Sequence, residues 1–378
     1  MKAGIYVHIP FCESRCIYCG FYSTTAKDWC TRYVDALLKE MRMRSDELRS
    51  LYPNNECTID TVYIGGGTPS TLSTEDIARI INTIKEVYPC TTREITMEMN
   101  PDDVTPELIT SVRTLGVNRI SLGVQTFSDE RLRFIRRRHN AAQAVKAVET
   151  IRRAGIDNIS IDLMFGFPDE TLDDWQNDLN TALKLRPNHI SAYSLMYEEG
   201  TPLYLLLQNG KIKQADDDTC LAMYTMLMDM LSANGYEHYE ISNFCLPGYR
   251  AIHNSSYWND TPYLGFGAAA HSYNLLTRSW NVADIKEYIN TIKRGKLPSD
   301  SERIDDDTHY DDIITTAMRT HEGVDLKRLK PEYRDYALCS AKSDIDGGLL
   351  ELTNDHLRLT RKGLFVSDMV MSNLMKVL

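Results

Sequence analysis

The sequence predicts an α/β protein, a partial (β/α)6 TIM-like barrel followed by a C-terminal helical module of winged-helix type. Three observations predict it. Over roughly the first 200 residues, short apolar runs alternate with helical patterns, as in a parallel sheet wrapped by helices. Each polar or glycine-rich motif begins where one of those runs should end, and barrels gather their sites at the C-terminal ends of the strands. The last part of the chain reads as helices followed by a hairpin with Asn354-Asp355 at its turn.

In chain order, strands are expected at 4–9, 61–64, 94–98, 119–123, 158–163 and 189–194, each a short run rich in apolar residues. Helices are expected between them at 29–51, 74–87, 106–115, 129–134, 141–154 and 172–185. Six strand–helix units fall short of a closed barrel, so the barrel should be open. Another helix is expected over 216–235, then an aromatic, glycine-rich region over 236–272. The acidic run Asp305-Asp306-Asp307 caps a helix and marks a boundary. The hairpin strands fall at 349–352 and 357–359, and Thr360 reads as the N-cap of a final helix. The expected organisation is a barrel over 1–235, an extension packing on it over 236–300, and the winged-helix-like module over 301–378. No repeat of fixed period and no low-complexity tail interrupts this order.

Length allows two or three domains, although one α/β barrel can absorb much of a 378-residue chain. With 43% hydrophobic and 25% charged residues, the composition is that of a soluble globular protein with a sizeable core. A net charge of −11, from 42 basic and 53 acidic residues, speaks against a general nucleic-acid or anionic-membrane surface. Met1 is followed at once by the strand-like Ile5-Tyr6-Val7-His8-Ile9, too short for a signal-peptide core, and no run approaches a membrane span. Six of the nine cysteines (Cys30, Cys57, Cys90, Cys220, Cys245 and Cys339) are scattered, which suits a reducing compartment. The expectation is a cytoplasmic protein.

The other three cysteines stand in Tyr6-Val7-His8-Ile9-Pro10-Phe11-Cys12-Glu13-Ser14-Arg15-Cys16-Ile17-Tyr18-Cys19-Gly20-Phe21. Thiolates are soft ligands that suit iron–sulfur clusters and zinc. A closed zinc site wants a second Cys or His pair, and none follows Cys12, Cys16 and Cys19. Three thiolates on a four-iron cluster leave one iron open to an outside ligand, which is an arrangement for chemistry. The plain alternative is three buried thiols serving as small hydrophobes.

Further motifs follow the expected strands. Gly65-Gly66-Gly67-Thr68-Pro69 lets backbone approach a ligand closely, and carbonyl acceptors there would suit an ammonium; otherwise it is an ordinary turn or a phosphate loop without its lysine. Glu98, Gln125 and Asp162 each end an apolar run with a polar side chain, fit for ribose hydroxyls or ammonium protons. The plain alternative for Glu98 is a carboxylate held in a structural ion pair. The basic segment 131–139 is either a solvated helix end or the source of one inward guanidinium, Arg137, able to grip a carboxylate. His253, in His-Asn-Ser-Ser-Tyr-Trp, stands near Tyr257 and Trp258 and is able to ligate a haem iron between aromatic walls. The alternative is a histidine hydrogen-bonded within its loop, and His8, His238 and His271 have the same standing.

The cysteine spacing, with an aromatic residue two places after the last cysteine, resembles the radical S-adenosylmethionine (SAM) superfamily. The resemblance implies a [4Fe–4S] cluster whose open iron is chelated by SAM, and a cofactor pair that generates a 5′-deoxyadenosyl radical. Together with Leu-Gly-Val-Gln-Thr-Phe, Gly-Tyr-Glu-His-Tyr-Glu-Ile-Ser-Asn-Phe and His-Asn-Ser-Ser-Tyr-Trp, it extends over nearly the whole chain to the oxygen-independent coproporphyrinogen III oxidase-like family. By resemblance Cys12, Cys16 and Cys19 hold the cluster, and Tyr6, Gly66, Gly67, Thr68, Glu98, Gln125, Arg137, Asp162 and Met196 contact SAM. The true oxidase looks for a further cysteine two places after the third, where this chain has Phe21, and carries an N-terminal extension before its cluster motif. Both differences resemble the family's haem-chaperone branch, with His253 contributing to haem binding. Gly20 and the turn Gly166-Phe167-Pro168-Asp169-Glu170 are smaller departures. The implied function is binding of haem and its delivery to haem-requiring respiratory membrane enzymes, by a cytoplasmic protein that visits the inner membrane face and forms a homodimer. The alternative is an oxidoreductase that converts two propionates of coproporphyrinogen III to vinyls. An RNA-modifying radical SAM enzyme would bring a second cluster or a basic domain, and the chain has neither signature.

Overall fold

The structure, a computed structural model, describes residues 2–48 and 57–376. Six parallel strands lie side by side in chain order: β1 (Lys2–Ile9), β2 (Thr58–Gly66), β3 (Cys90–Met99), β4 (Arg119–Gln125), β5 (Asn158–Phe165) and β6 (His189–Ser194). Each of the six expected barrel strands lies within an observed one. The helices Thr74–Val87, Asp129–Phe134 and Leu172–Leu185 match expectation residue for residue. The helix expected over 29–51 is instead a short 3-10 turn, Lys27–Trp29, leading into Cys30–Met43, and 49–51 lie outside the described residues. Side-chain caps set several starts: Ser73 accepts from Asp76 N, and Asn140 and Thr171 each form reciprocal capping boxes, with Gln143 and Asp174.

What positions the site is the two-residue period of these strands. Their outward rows are apolar: Ile5, Val7 and Ile9 on β1, Ile95, Met97 and Met99 on β3, Ile120, Leu122 and Val124 on β4 are all buried under the helices. Their inward rows are polar. β2 contributes Thr61 and Tyr63, β3 Glu94, Thr96 and Glu98, β4 Arg119 and Ser121, β5 Ser160 and Asp162, β6 His189 and Ser191. Parallel strands covered on both faces are usually apolar throughout. An apolar outer row with a polar inner one makes an interior for a ligand.

The 236–300 segment, the expected extension on the barrel, lengthens the sheet at both edges. β7 (Glu237–Glu240) and β8 (Asn243–Cys245) add antiparallel strands beside β6. β9 (Tyr263–Phe266) pairs parallel with β1, and β10 (His271–Tyr273), β11 (Thr277–Asn281) and β12 (Ser299–Arg303) continue antiparallel beyond it. The result is one twelve-stranded sheet. Between its two edges the helix Ile252–Trp258 runs across the bottom of the barrel, where the Glu94 carboxylate accepts from the N–H groups of Ile252 and His253.

The tail builds a second core around Tyr310, Ile314, Leu326, Leu357, Val370 and Leu374. Its sheet joins β13 (Val324–Asp325), β14 (Leu350–Thr353) and β15 (His356–Leu359). Asn354 and Asp355 both take positive φ, 54° and 64°, the backbone of a two-residue type I′ hairpin turn. Thr360 does cap a helix, accepting from Gly363 N, but that helix is only Arg361–Leu364, and a second, Ser367–Leu374, follows.

Candidate functional site

The cysteine loop leaves the C-terminal end of β1. Backbone bonds Cys12 N to Thr24 O (2.9 Å) and Thr24 N to Pro10 O (2.7 Å) close its base. Its middle is pinned by Ile17, whose N–H donates to Ile135 O and whose carbonyl accepts from Leu203 N. Ile17 also packs with Ile135, Met164, Phe167, Leu195 and Leu203 in a small apolar cluster at the mouth. Cys12 is buried, while Cys16 and Cys19 are half-buried. Burial, with the neighbouring thiol Cys16 adding to it, raises the thiols of Cys12 and Cys19. At Cys12 this is offset by Thr68 Oγ1, which donates to its Sγ at 3.5 Å, and at Cys19 by the Phe21 backbone N–H; Arg137 Nη1 donates to Cys16 Sγ at 3.6 Å. Cationic iron would complete the compensation. Among the described residues, no three His, Cys, Asp or Glu side chains converge on a single-metal point. Three all-sulfur donors on one loop beside a guanidinium fit separate corners of an iron–sulfur cube.

The glycine run is sewn to that loop. Gly67 N donates to Ile9 O and Thr68 N to Phe11 O, both at 2.8 Å. A Cβ at Gly67 would stand 2.8 Å from Phe11 O, so only glycine fits there. Gly66 has φ +112°, and its N–H donates to Glu98 Oε2 at 3.0 Å. Three of the run's N–H groups, those of Gly66, Gly67 and Thr68, are thus spent on holding Glu98 and the loop.

Glu98 also accepts from Tyr63 OH at 2.7 Å. Burial and the Asp162 charge push its carboxyl up to about 7, against the opposing pull of these hydrogen bonds. Asp162 is raised too, chiefly by burial, with Ser121 Oγ at 3.4 Å. Gln125 sits at a register shift in β4 with φ 70°, a left-handed conformation that re-aims its side chain. A Cβ on Gly123 would lie 3.0 Å from Gln125 Nε2 and 2.9 Å from Arg137 Nη2, so both side chains lie over that glycine. Arg137 does turn inward: its Nη2 donates to Asn100 Oδ1 (2.6 Å) and to Gly123 O, while its buried Nε has no partner. Its neighbours Arg131 and Arg138 face Asp174 and Asp103 instead. Tyr6 OH donates to His8 Nδ1 at 3.0 Å. Met196, 64% exposed, stands on the rim with Phe21, 72% exposed.

His253 lies elsewhere. It is 1% exposed at the barrel bottom, with Nδ1 2.9 Å from Thr61 Oγ1 and Nε2 2.9 Å from Tyr257 OH. Burial, with the Arg119 charge, lowers it to about 3, so the ring is neutral and both nitrogens are engaged. Reading motif by motif missed Tyr63, Asn100 and the buried Arg119, whose Nε and Nη1 have no partner. The signal that would have found them is the alternation itself, every second residue of each strand being polar.

The Radical SAM superfamily model matches residues 6–182. The chain is 35% identical to the Heme chaperone HemW of Bacillus subtilis, covering 98% of each chain. It is 32% identical to the Heme chaperone HemW of Mycobacterium tuberculosis, over 98% of this chain and 94% of that one. The chain belongs to the HemW family of radical SAM proteins. Family membership brings a [4Fe–4S] cluster and SAM as cofactors. The coproporphyrinogen III oxidase of Escherichia coli, described as a radical SAM enzyme, has the same fold: TM-score 0.85 at 21% identity, over 100% of this chain and 90% of that one. Among the described residues no helix is long and apolar enough to cross a membrane.

Proposed function

We propose that this protein is a haem chaperone that binds haem and hands it to respiratory haem proteins. Cys12, Cys16 and Cys19 hold the cluster, and Tyr6, Gly66, Gly67, Thr68, Glu98, Gln125, Arg137, Asp162 and Met196 line the SAM site. The observation that carries the reading is near-end-to-end similarity to proteins named Heme chaperone HemW. Phe21, on the rim where the oxidase places a further cysteine, supports it. Bound together, cluster and SAM supply one-electron chemistry; the chain orients them with Arg137 and Glu98.

His253 is the proposed haem ligand. Because both its nitrogens are engaged beneath the barrel, ligation requires the helix Ile252–Trp258 to swing out, and the closed form lowers apparent haem affinity. Haem titration tests this. His253→Ala should lose the complex, while Tyr257→Phe and Thr61→Val, which loosen the closed form, should tighten it. Equal titration of His253→Ala and wild type would move the ligand elsewhere. The competing oxidase reading is tested by an anaerobic assay of reconstituted protein with SAM, reductant and coproporphyrinogen III, beside a working oxidase. Loss of two carboxyl groups matched by 5′-deoxyadenosine would establish an enzyme.

A further inference from the structure

Aromatic rings run in contact from the mouth of the barrel to the outer part of its sheet. Between centroids, His8 and Tyr6 are 6.0 Å apart, Tyr6 and Tyr63 6.2 Å, Tyr63 and His253 5.2 Å, and His253 and Tyr257 5.2 Å. Tyr257 meets Tyr263 edge-on at 4.8 Å, and Tyr263 lies 6.4 Å from Tyr273. Each spacing is within the range of direct ring contact. The fold sets the line: Tyr6 pairs with Tyr63 across β1 and β2, Tyr263 with Tyr273 across β9 and β10, and His253 and Tyr257 are one helical turn apart.

Four of these phenols are bonded to a base. Tyr6 donates to His8 Nδ1, which is free to accept because His8 Nε2 faces the Tyr22 carbonyl. Tyr63 donates to Glu98, Tyr257 is bonded to His253 Nε2, and Tyr273 donates to Asp260. Tyrosines elsewhere bond mostly to backbone carbonyls: Tyr33 to His8 O, Tyr88 to Met41 O, Tyr224 to Ile241 O, Tyr236 to Pro187 O, Tyr310 to Leu374 O. A carbonyl satisfies a buried phenol but cannot take its proton; a carboxylate or imidazole can. Tyr239, Tyr288 and Tyr333 also hold ionisable partners, but they stand off the line.

We infer that Tyr6, Tyr63, Tyr257, Tyr263 and Tyr273 form a one-electron relay that carries an oxidising equivalent from the barrel mouth to β10, in the outer part of the sheet. The relay rests on the proposed radical chemistry at the mouth, and it discharges a primary carbon radical that finds no substrate. The radical takes the hydrogen atom of Tyr6 O–H; a C–H bond forms and a phenoxyl remains. Tyr63 then gives Tyr6 an electron while its own proton passes to Glu98, and water at the mouth reprotonates Tyr6. Tyr257 reduces Tyr63, which recovers its proton from Glu98, and the Tyr257 proton moves to His253. Tyr263 repeats the exchange, releasing its proton to solvent from its half-buried position. Tyr273 follows, with Asp260 as the base. A thiol in solution ends the sequence: it gives Tyr273 an electron while Tyr273 recovers its proton from Asp260, the thiol proton goes to solvent in place of the one Tyr6 took up, and two thiyl radicals couple to a disulfide.

The test generates the oxidant photochemically, so it is independent of cluster, SAM and haem. A ruthenium polypyridyl sensitiser is attached at Phe21→Cys in the full chain, with Cys12, Cys16, Cys19 and the other accessible cysteines changed to serine. After flash and quench by an irreversible electron acceptor, tyrosyl radicals are read by electron paramagnetic resonance, and spin-trap adducts are located by peptide mass. The expected result is an adduct at Tyr263 or Tyr273 that is lost in Tyr63→Phe and in Tyr257→Phe but kept in Tyr310→Phe. An adduct that survives Tyr63→Phe, adducts spread by exposure alone, or no tyrosyl signal would overturn the relay. If the serine variants misfold, the same variants are compared in the otherwise unmodified chain with free sensitiser, scored by the Tyr273 adduct. Failure here leaves the haem and cluster reading standing, and a failed haem titration leaves the relay standing.

Discussion

The two ends of the barrel are built from the same strands and treat their polar groups differently. At the bottom, Glu94 caps a helix with both oxygens, His189 is bonded through both nitrogens to Ser160 and Tyr239, and His253 through both of its own. At the mouth, the thiols of Cys12 and Cys19 are raised, Arg137 keeps a buried donor without a partner, and Glu98 is held near 7. Saturated groups are what a fold uses to close itself, because a buried polar atom left without a bond is costly; the haem ligation proposed for His253 first breaks both of its bonds. Groups left short of partners are what a site keeps for a ligand. Arg119, Asn158 and Trp258 are exceptions at the bottom, each keeping a buried polar atom without a partner; the Arg119 charge faces the Glu98 and Asp162 carboxylates without a direct bond.

The comparison breaks most visibly if changes at the mouth cost stability. Replacing Cys12, Cys16 and Cys19 by serine should abolish iron loading while leaving apo-protein stability within about 1 kcal/mol, since the loop is not part of the main core. Iron content and urea midpoints read both quantities. Gly67→Ala should impair loading as well, because its Cβ would push on Phe11 O at the base of the loop. A change at the bottom should do the reverse. His253→Ala removes a filled volume and two hydrogen bonds, so a loss of about 3 kcal/mol is expected, with iron loading intact.

Glu98 sharpens the contrast through pH. Its folded value of about 7 lies above the ordinary 4.5, so between those values the folded state binds more protons than the unfolded one. Stability therefore falls as pH rises through that window, by no more than about 3 kcal/mol and less where water reaches the carboxylate. Glu98→Gln should flatten the slope in urea titrations at about pH 5 and about pH 8; an unchanged slope would assign it to other groups. The smallest effect belongs to the surface. Breaking the exposed Arg361–Asp229 pair between the barrel and the tail module with Asp229→Asn should shift stability by less than about 1 kcal/mol.

Much of this was legible in the chain before any fold was known. The strand ends, the hairpin turn and the cysteine spacing are local, and their chemistry follows from residue type and separation alone. Arg137 was singled out of a basic run and does point inward. Its partners were not legible: Asn100, Gly123 and Cys16 come from three other places in the chain. The region 236–300 was seen to be unusual but not seen to supply both edges of the sheet, because strand pairing across long separations leaves no local periodicity.

The sequence by itself therefore determined the kind of ligand, a soft iron–sulfur group for which three spaced thiols are the proposed holders, and the alternation that makes the barrel interior polar. Only the tertiary structure decided which end of that interior is open and which is sealed. Thr61, Glu94, Tyr239 and His253 have no pattern in common along the chain. They meet because parallel pairing in chain order brings β2 and β3 together, β7 joins the sheet beyond β6 and β8, and the segment that starts the helix Ile252–Trp258 crosses beneath them. Whether a buried polar group is structural or available is a count of its partners, and that count exists only once the chain is folded.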